Sequence, residues 1–190
     1  YAMFKGEEGN AEAIARTQFG VEDANLVLEA AGKSALVYFD AAAAQTWQTD
    51  PEGAWSAKAA KDYMDTNLVT YNESNGNMIE LVICNNDGMA EGAVASLQQA
   101  GYNVEGAHVV PVFGVDATDA AKALIADGAM VGTVKQDANG MAVAISETVK
   151  AIAGGKTPVD ALASLTDERL TVAGDCAGKL YVSYAPYTGE

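Results

Sequence analysis

Strand-period and helix-period runs alternate along most of this chain. Tyr1–Phe4 is apolar and strand-like, and a helical stretch follows from about Asn10 to Ala31, with Asn10 placed to cap it. Ala35–Phe39 reads as the next strand, and Trp55–Leu68 has helical periodicity with Ala59, Tyr63 and Met64 on one face. Met78–Cys84 predicts a strand and Gly88–Ala100 a helix ended by Gly101. His108–Phe113 is a further strand, Thr118–Ala126 a helix closed by Asp127 and Gly128, and Met130–Val134 a strand. Ala138–Ala153 forms another helix, stopped by Gly154 and Gly155, and two late β segments lie near Leu170–Ala173 and Lys179–Tyr184. The connection Gln45–Gly53 is longer and more polar than the others, which makes it a candidate rim element. Such alternation predicts an α/β fold, a doubly wound and mostly parallel sheet with helices on both faces.

The 190 residues suffice for one sizeable α/β core, or one lobe with an appendage. The formal charge of −15 argues against nucleic acid and against an anionic membrane surface, because both need clustered Lys and Arg. A neutral ligand is indifferent to that charge. No apolar run approaches the roughly 20 residues of a membrane span. Cys84 and Cys176 are far apart, and their spacing suggests no disulfide framework. Tyr1 opens directly into a strand, so the chain is expected to be cut from something longer.

Catalytic signals are weak. The single histidine, His108, begins an apolar strand with no Ser, Cys or acidic partner in a triad pattern. No phosphate-binding glycine loop is present, and Glu7 and Glu8 after the first strand would repel a phosphate. A hydroxyl-rich ligand suits the polar residues better. Asn86 and Asp116 stand at the ends of successive apolar strands, where open α/β sheets hold their ligands. A carboxylate such as Asp116 accepts two hydroxyl protons, and Asn86 can donate to one hydroxyl while accepting from its neighbour. Arg16 offers a planar fork of donors, and Trp55 an apolar face for the C–H side of a pyranose. Each has a plainer reading. Asn86, Asp87 or Asp116 would cap the following helix, Arg16 would be a solvated helix charge, and Trp55 a helix-start anchor.

These segments together resemble the periplasmic sugar-binding proteins of the galactose/glucose- and ribose-binding family. Lys5–Arg16 is similar to the family's strand-to-helix segment that brings an Arg to the sugar, and Ala54–Asp65 to the segment bearing a stacking Trp. Ile79–Met89 and Pro111–Ala117 match it in character, giving Asn86 and Asp116, and Gly132–Ala138 resembles the hinge crossing, giving Gln136. The resemblance covers most of Tyr1–Lys156. It implies a non-catalytic, extracytoplasmic solute-binding protein that recognises a monosaccharide, a hexose such as glucose or galactose, for uptake through an ABC transporter permease. The ligand set it implies is Asn10, Glu12, Arg16, Trp55, Asn86, Asp116 and Gln136. Asn10 and Glu12 replace the His and Asp of galactose/glucose receptors, and Gln136 is a ribose-receptor feature, so the pocket mixes traits of two subfamilies. The effector domain of a LacI-type transcription repressor, which shares the fold, is the alternative.

The same resemblance assigns residues 1–136 with 173–190 to a ligand-binding second lobe, and 137–172 to a first lobe largely missing here. The helix over Ala138–Ala153 would then lack its usual sheet along Ala142, Ile145, Val149 and Ile152, which predicts unusual packing or self-association. No cofactor is expected of the chain itself. Family members bind a structural Ca²⁺ through a loop that would precede Tyr1; Glu80 matches one distant ligand, but one carboxylate cannot supply the six to eight oxygens Ca²⁺ takes. The implied location is periplasmic or extracellular, with or without a lipid anchor.

Overall fold

Tyr1–Lys5 is the most deeply placed apolar run of the chain, and the sheet is built outward from it. In the computed structural model, which describes residues 1–189, β1 (Ala2–Lys5) is buried along its whole length. A strand covered on both faces reads as a continuous apolar run, as this one does. It pairs in parallel with β2 (Gln48–Thr49) on one side, Phe4 opposite Gln48, and with β3 (Val82–Cys84) on the other, Phe4 opposite Cys84. Next come β4 (Val112–Val115) and β5 (Gly132–Gln136), also parallel. With β8 (Tyr184–Tyr187) at the far edge, the order is β2-β1-β3-β4-β5-β8. Its first five strands follow a doubly wound order in which the direction of winding reverses between β1 and β3, the topological switch point.

The helices between them are α1 (Ala11–Ala30), α2 (Ala57–Thr70), α3 (Asp87–Gln99) and α4 (Asp119–Ala126). Each starts on a polar cap: Asn10, Ser56, Asn86 and Thr118 accept the first free backbone N–H groups of their helices. Phe4, Met64, Met89, Leu97, Val112 and Met130 are fully or almost fully buried between sheet and helices. Gly92 lets α3 close on the start of α2, since a Cβ there would lie 2.0 Å from the Ala57 carbonyl oxygen.

The chain divides into two units, Tyr1–Val134 with the residues from Tyr187 on, and Lys135–Pro186. In the second, α5 (Ala138–Ala153) is capped by Asp137, and α6 (Pro158–Ala163) by Thr157 with proline at its start. An antiparallel pair, β6 (Leu170–Val172) and β7 (Leu180–Val182), forms a separate small sheet with Leu170 opposite Val182. Met141, Ile145, Val149, Leu162, Leu180 and Val182 line an open apolar cleft of about 390 Å³ in this unit. The expected face of α5, Ala142, Ile145, Val149 and Ile152, is exposed, and the buried residues of the helix are Gly140 and Ala144.

Two sequence expectations are corrected. Ala35–Phe39 is not a strand: its aromatic end goes into a cluster in which Tyr38 meets Tyr1 at 5.5 Å between ring centroids and Phe39 meets Tyr71 at 4.8 Å. The edge position beside β1 is taken by Gln48–Thr49, inside the stretch expected to be a loop. Helix α6 was not anticipated, although Thr157-Pro158 is a helix-start signal. Strands β3, β4 and β5 begin two to four residues later than the apolar runs suggest, and of the lead-ins Leu81, Pro111 and Val131 reach a neighbouring strand through backbone hydrogen bonds of 2.8–3.1 Å.

Candidate functional site

Polar side chains converge outside the carboxyl ends of β1 and β3, the crevice that the reversal of strand order opens. Asn85, at the end of β3, is fully buried and joins three segments. Its Oδ1 accepts from the Gly6 N–H at 3.2 Å, its Nδ2 donates to Thr17 Oγ1 at 3.1 Å, and its backbone N–H donates to the Phe4 carbonyl at 2.9 Å. Its own carbonyl accepts from Arg16 Nη1 at 2.9 Å. Arg16 is therefore no solvated helix charge. Its side chain is 15% exposed, and Nη2 meets Glu12 Oε2 at 3.3 Å.

Trp55 sits beside it, with the Arg16 guanidinium 5.6 Å from the ring centroid. Its backbone is in the left-handed region at φ 55°, an unusual state for a bulky residue. Three features hold it there. Asn86 Nδ2 donates to the Trp55 carbonyl at 3.2 Å. Gly6 leaves room for the indole, because a Cβ on Gly6 would lie 2.0 Å from Trp55 Cδ2. The turn leading into Trp55 is tied by Asp50, whose carboxylate accepts from the Glu52 N–H, the Ser56 N–H and Ser56 Oγ at 2.8–2.9 Å. Burial pushes the Asp50 carboxyl upward, but these donors and the Ala54 N–H outweigh it and leave its pKa lowered.

Asn10 caps α1, accepting from the Glu12 N–H at 2.9 Å and the Ala13 N–H at 3.2 Å, and donates to Glu7 Oε2 at 3.0 Å. Asn86 caps α3 by accepting from the Met89 N–H at 2.9 Å. The plainer reading thus holds for both as far as capping goes, and Asn86 also reaches the Trp55 carbonyl. Asp116 does not cap α4; Thr118 does. Asp116 instead stands in a strained turn after β4, with φ 127°, followed by Ala117 at φ 55°. Asn10, Glu12, Arg16, Trp55 and Asn86 are linked through direct contacts in one unit, and Asp116 lies two residues before Thr118, whose N–H donates to Asp87, the residue after Asn86. Gln136 belongs to the other unit, where its Oε1 accepts from Tyr184 Oη at 3.1 Å.

Along the rim beyond β1, Lys5 is almost wholly buried, and its Nζ meets Glu8 Oε2 at 2.6 Å. Glu8 Oε1 accepts from Trp47 Nε1 at 3.1 Å and from the Thr49 hydroxyl. The hydrogen bond from Lys5 leads, with those from Thr49 and Trp47, in holding the Glu8 carboxyl down at about 2. The long polar connection is thereby tied to β1.

Elsewhere, His108 lies exposed in the loop before β4, paired with Glu73 and edge-on to Tyr102. Glu80 is exposed ahead of β3, and no group of three or more potential metal-ligating side chains gathers among the described residues. Asn85, Asp50 and Asp87 were missed in the sequence; their signal was an unbroken polar cluster at a strand end, and the Asp-Pro turn before Trp55.

A doubly wound sheet with polar side chains gathered at its switch point is an architecture that holds ligands at the carboxyl ends of its strands. The chain belongs to the periplasmic binding protein family, in its type I sugar-binding class: the family model for the periplasmic binding protein domain matches residues 1–157. It is 33% identical over 161 residues to the D-galactose/methyl-galactoside binding periplasmic protein of Haemophilus influenzae, covering 84% of this chain and 41% of that relative. A solved ABC transporter solute binding protein from Bacillus halodurans with bound myo-inositol is similar at 28% identity and TM-score 0.57, over 82% of this chain and 46% of that one. Another, from Clostridium phytofermentans with bound β-D-glucose, shares the fold at 21% identity and TM-score 0.64, over 99% of this chain and 54% of that one. The chain thus spans about half the length of these relatives.

Proposed function

We propose that this chain is the ligand-binding second lobe of an extracytoplasmic sugar receptor, and that its parent delivers a monosaccharide to an ABC transporter permease without chemical change. The observation that carries the reading is the Arg16–Trp55 pair fixed on Gly6 and Asn85 at the switch point. There a guanidinium fork and a partly buried indole are presented side by side, the donor and the apolar surface a pyranose needs. Asn10, Glu12, Asn86 and Asp116 would bridge the hydroxyls. Residues 1–136 with 173–190 make up the lobe, and 137–172 the part belonging to its counterpart.

A hexose is the first choice. The Haemophilus relative is named for galactose, and the Bacillus neighbour holds a six-membered polyol ring. Glu12 reaches one methylene further than an aspartate would, which tunes the hydroxyl it meets. Titration of tryptophan fluorescence with glucose, galactose, myo-inositol and ribose tests the assignment. Saturable binding of one six-membered ring, weakened by Arg16→Ala and Trp55→Ala, is the expected result. A response to ribose alone would replace the hexose by a pentose, and silence toward all four in a folded chain would remove the sugar reading.

The exposed α5 face supports a second proposal about partners, that the isolated chain self-associates through Ile145 and Val149, which are 66% and 60% exposed.

A further inference from the structure

Asp87 follows Asn86 at the start of α3 and is wholly buried, yet none of the ligand roles above uses it. Its Oδ2 accepts from the Thr118 N–H at 2.8 Å, and its Oδ1 accepts from Thr133 Oγ1 at 2.6 Å. One carboxylate therefore grips the residue just after the Asp116–Ala117 turn and, at the same time, strand β5. That turn places two successive non-glycine residues in the left-handed region, at φ 127° and 55°. Such a conformation persists only when its surroundings over-determine it. The Asp116 N–H donates to the Val134 carbonyl at 2.8 Å, and the Ala117 N–H makes a longer 3.4 Å contact to Thr133 Oγ1. Thr133 thus sits between the turn and Asp87, its hydroxyl proton directed to the carboxylate. The approach is possible because β4 carries Gly114 at this level, where a Cβ would lie 2.3 Å from Asp87 Oδ1.

We infer that Asp87 is a positioning residue of the ligand site: it fixes the strained turn that carries Asp116, and so sets sugar affinity through Asp116 without touching the sugar. The inference rests on the sugar-binding reading for its effect on affinity, but not for its effect on the turn. A carboxylate is needed because both gripped groups are donors. An amide could keep an oxygen on the Thr118 N–H only by turning its NH₂ toward Thr133 and reversing that hydroxyl.

Backbone couplings and sugar titrations on the isotopically labelled chain test it. Asp87→Ala is expected to move the three-bond HN–Hα couplings of Asp116 and Ala117 away from their left-handed values, with those of β1 and α2 unchanged. D-glucose or D-galactose affinity should fall on the order of tenfold to a hundredfold. Asp87→Asn should rescue the turn in part. In an Asp116→Ala background, Asp87→Ala should add no further loss of affinity. Thr133→Val, with Thr133→Ser as its hydroxyl-retaining control, makes the same test where Asp87→Ala does not fold. Unchanged couplings at Asp116 and Ala117 in a folded Asp87→Ala or Thr133→Val chain would overturn the inference, as would additive losses in the double variant. If the unaltered chain binds neither sugar, the ligand reading fails and the couplings alone decide the positioning role.

Discussion

The indole of Trp55 occupies the space that any side chain at Gly6 would need: a Cβ there would meet Cδ2 at 2.0 Å and Cε3 at 2.3 Å. One residue is thereby glycine for the sake of another 49 positions later in a different loop. Gly6→Ala should expel the indole from its seat and separate it from Arg16. Overpacking of this kind costs about 1–3 kcal/mol. The expected outcome is a lower thermal midpoint with a red-shifted Trp55 emission, read in a Trp47→Phe background. An unshifted spectrum would mean that the ring moves aside freely.

Asn85 should be the costliest polar residue of the crevice to remove. Asn85→Ala leaves the Gly6 N–H and the Thr17 hydroxyl without their buried partner, and an orphaned buried polar group costs about 1–3 kcal/mol. Chemical denaturation should show that loss with an unchanged slope. Asn85→Asp keeps the acceptor for Gly6 and should recover part of it.

Residue types differ in how much of the site they reveal in sequence. Parallel strands read as continuous apolar runs where they are covered, fully along β1 and in part along β3, β4 and β5, so these strands were legible together with the polar residues at their ends. The caps Asn10 and Asn86 were legible for the same local reason, one short polar side chain before a periodic stretch, whereas α4 is capped by Thr118 and not by Asp116. Non-local ties were not. Asp87 reads as a helix-start acid because its partners Thr118 and Thr133 lie 31 and 46 residues away, whereas the bonds of Asp50 are local, to Glu52 and Ser56, and leave only the Asp-Pro turn as their trace. Ala35–Phe39 misled because an aromatic cluster and a strand draw on the same residue types.

Acid should leave the rim tie intact to low pH. The folded Glu8 carboxyl is depressed to about 2, against about 4.3 for a free glutamate. Its stabilisation is therefore fully present above the unfolded value and is lost as pH falls through the folded one. The Trp47 indole N–H resonance should hold its position from pH 7 to about 4 and shift with a midpoint near 2. A midpoint near the free value would show that the hydrogen bonds from Lys5, Thr49 and Trp47 do not persist in solution. Glu8→Gln should abolish the transition.

Self-association through α5 should be visible by light scattering as a mass that rises with concentration. Salt should promote it by screening the −15 charge each copy carries. Ile145→Lys should return the chain to a monomer. A monomer at all concentrations, with α5 amides protected from exchange, would show that the face needs no second copy.

The edge strand β2 is only two residues long and lies at one end of an otherwise well-formed parallel sheet. An open edge is a template on which further strands can add, and its hazard grows with the length of unpaired backbone it offers. Here the template stops almost as soon as it starts, between a polar loop and the turn that Asp50 closes. Lengthening the Gln48–Thr49 pairing with β-branched residues would therefore trade a small gain in sheet for a growing tendency to polymerise.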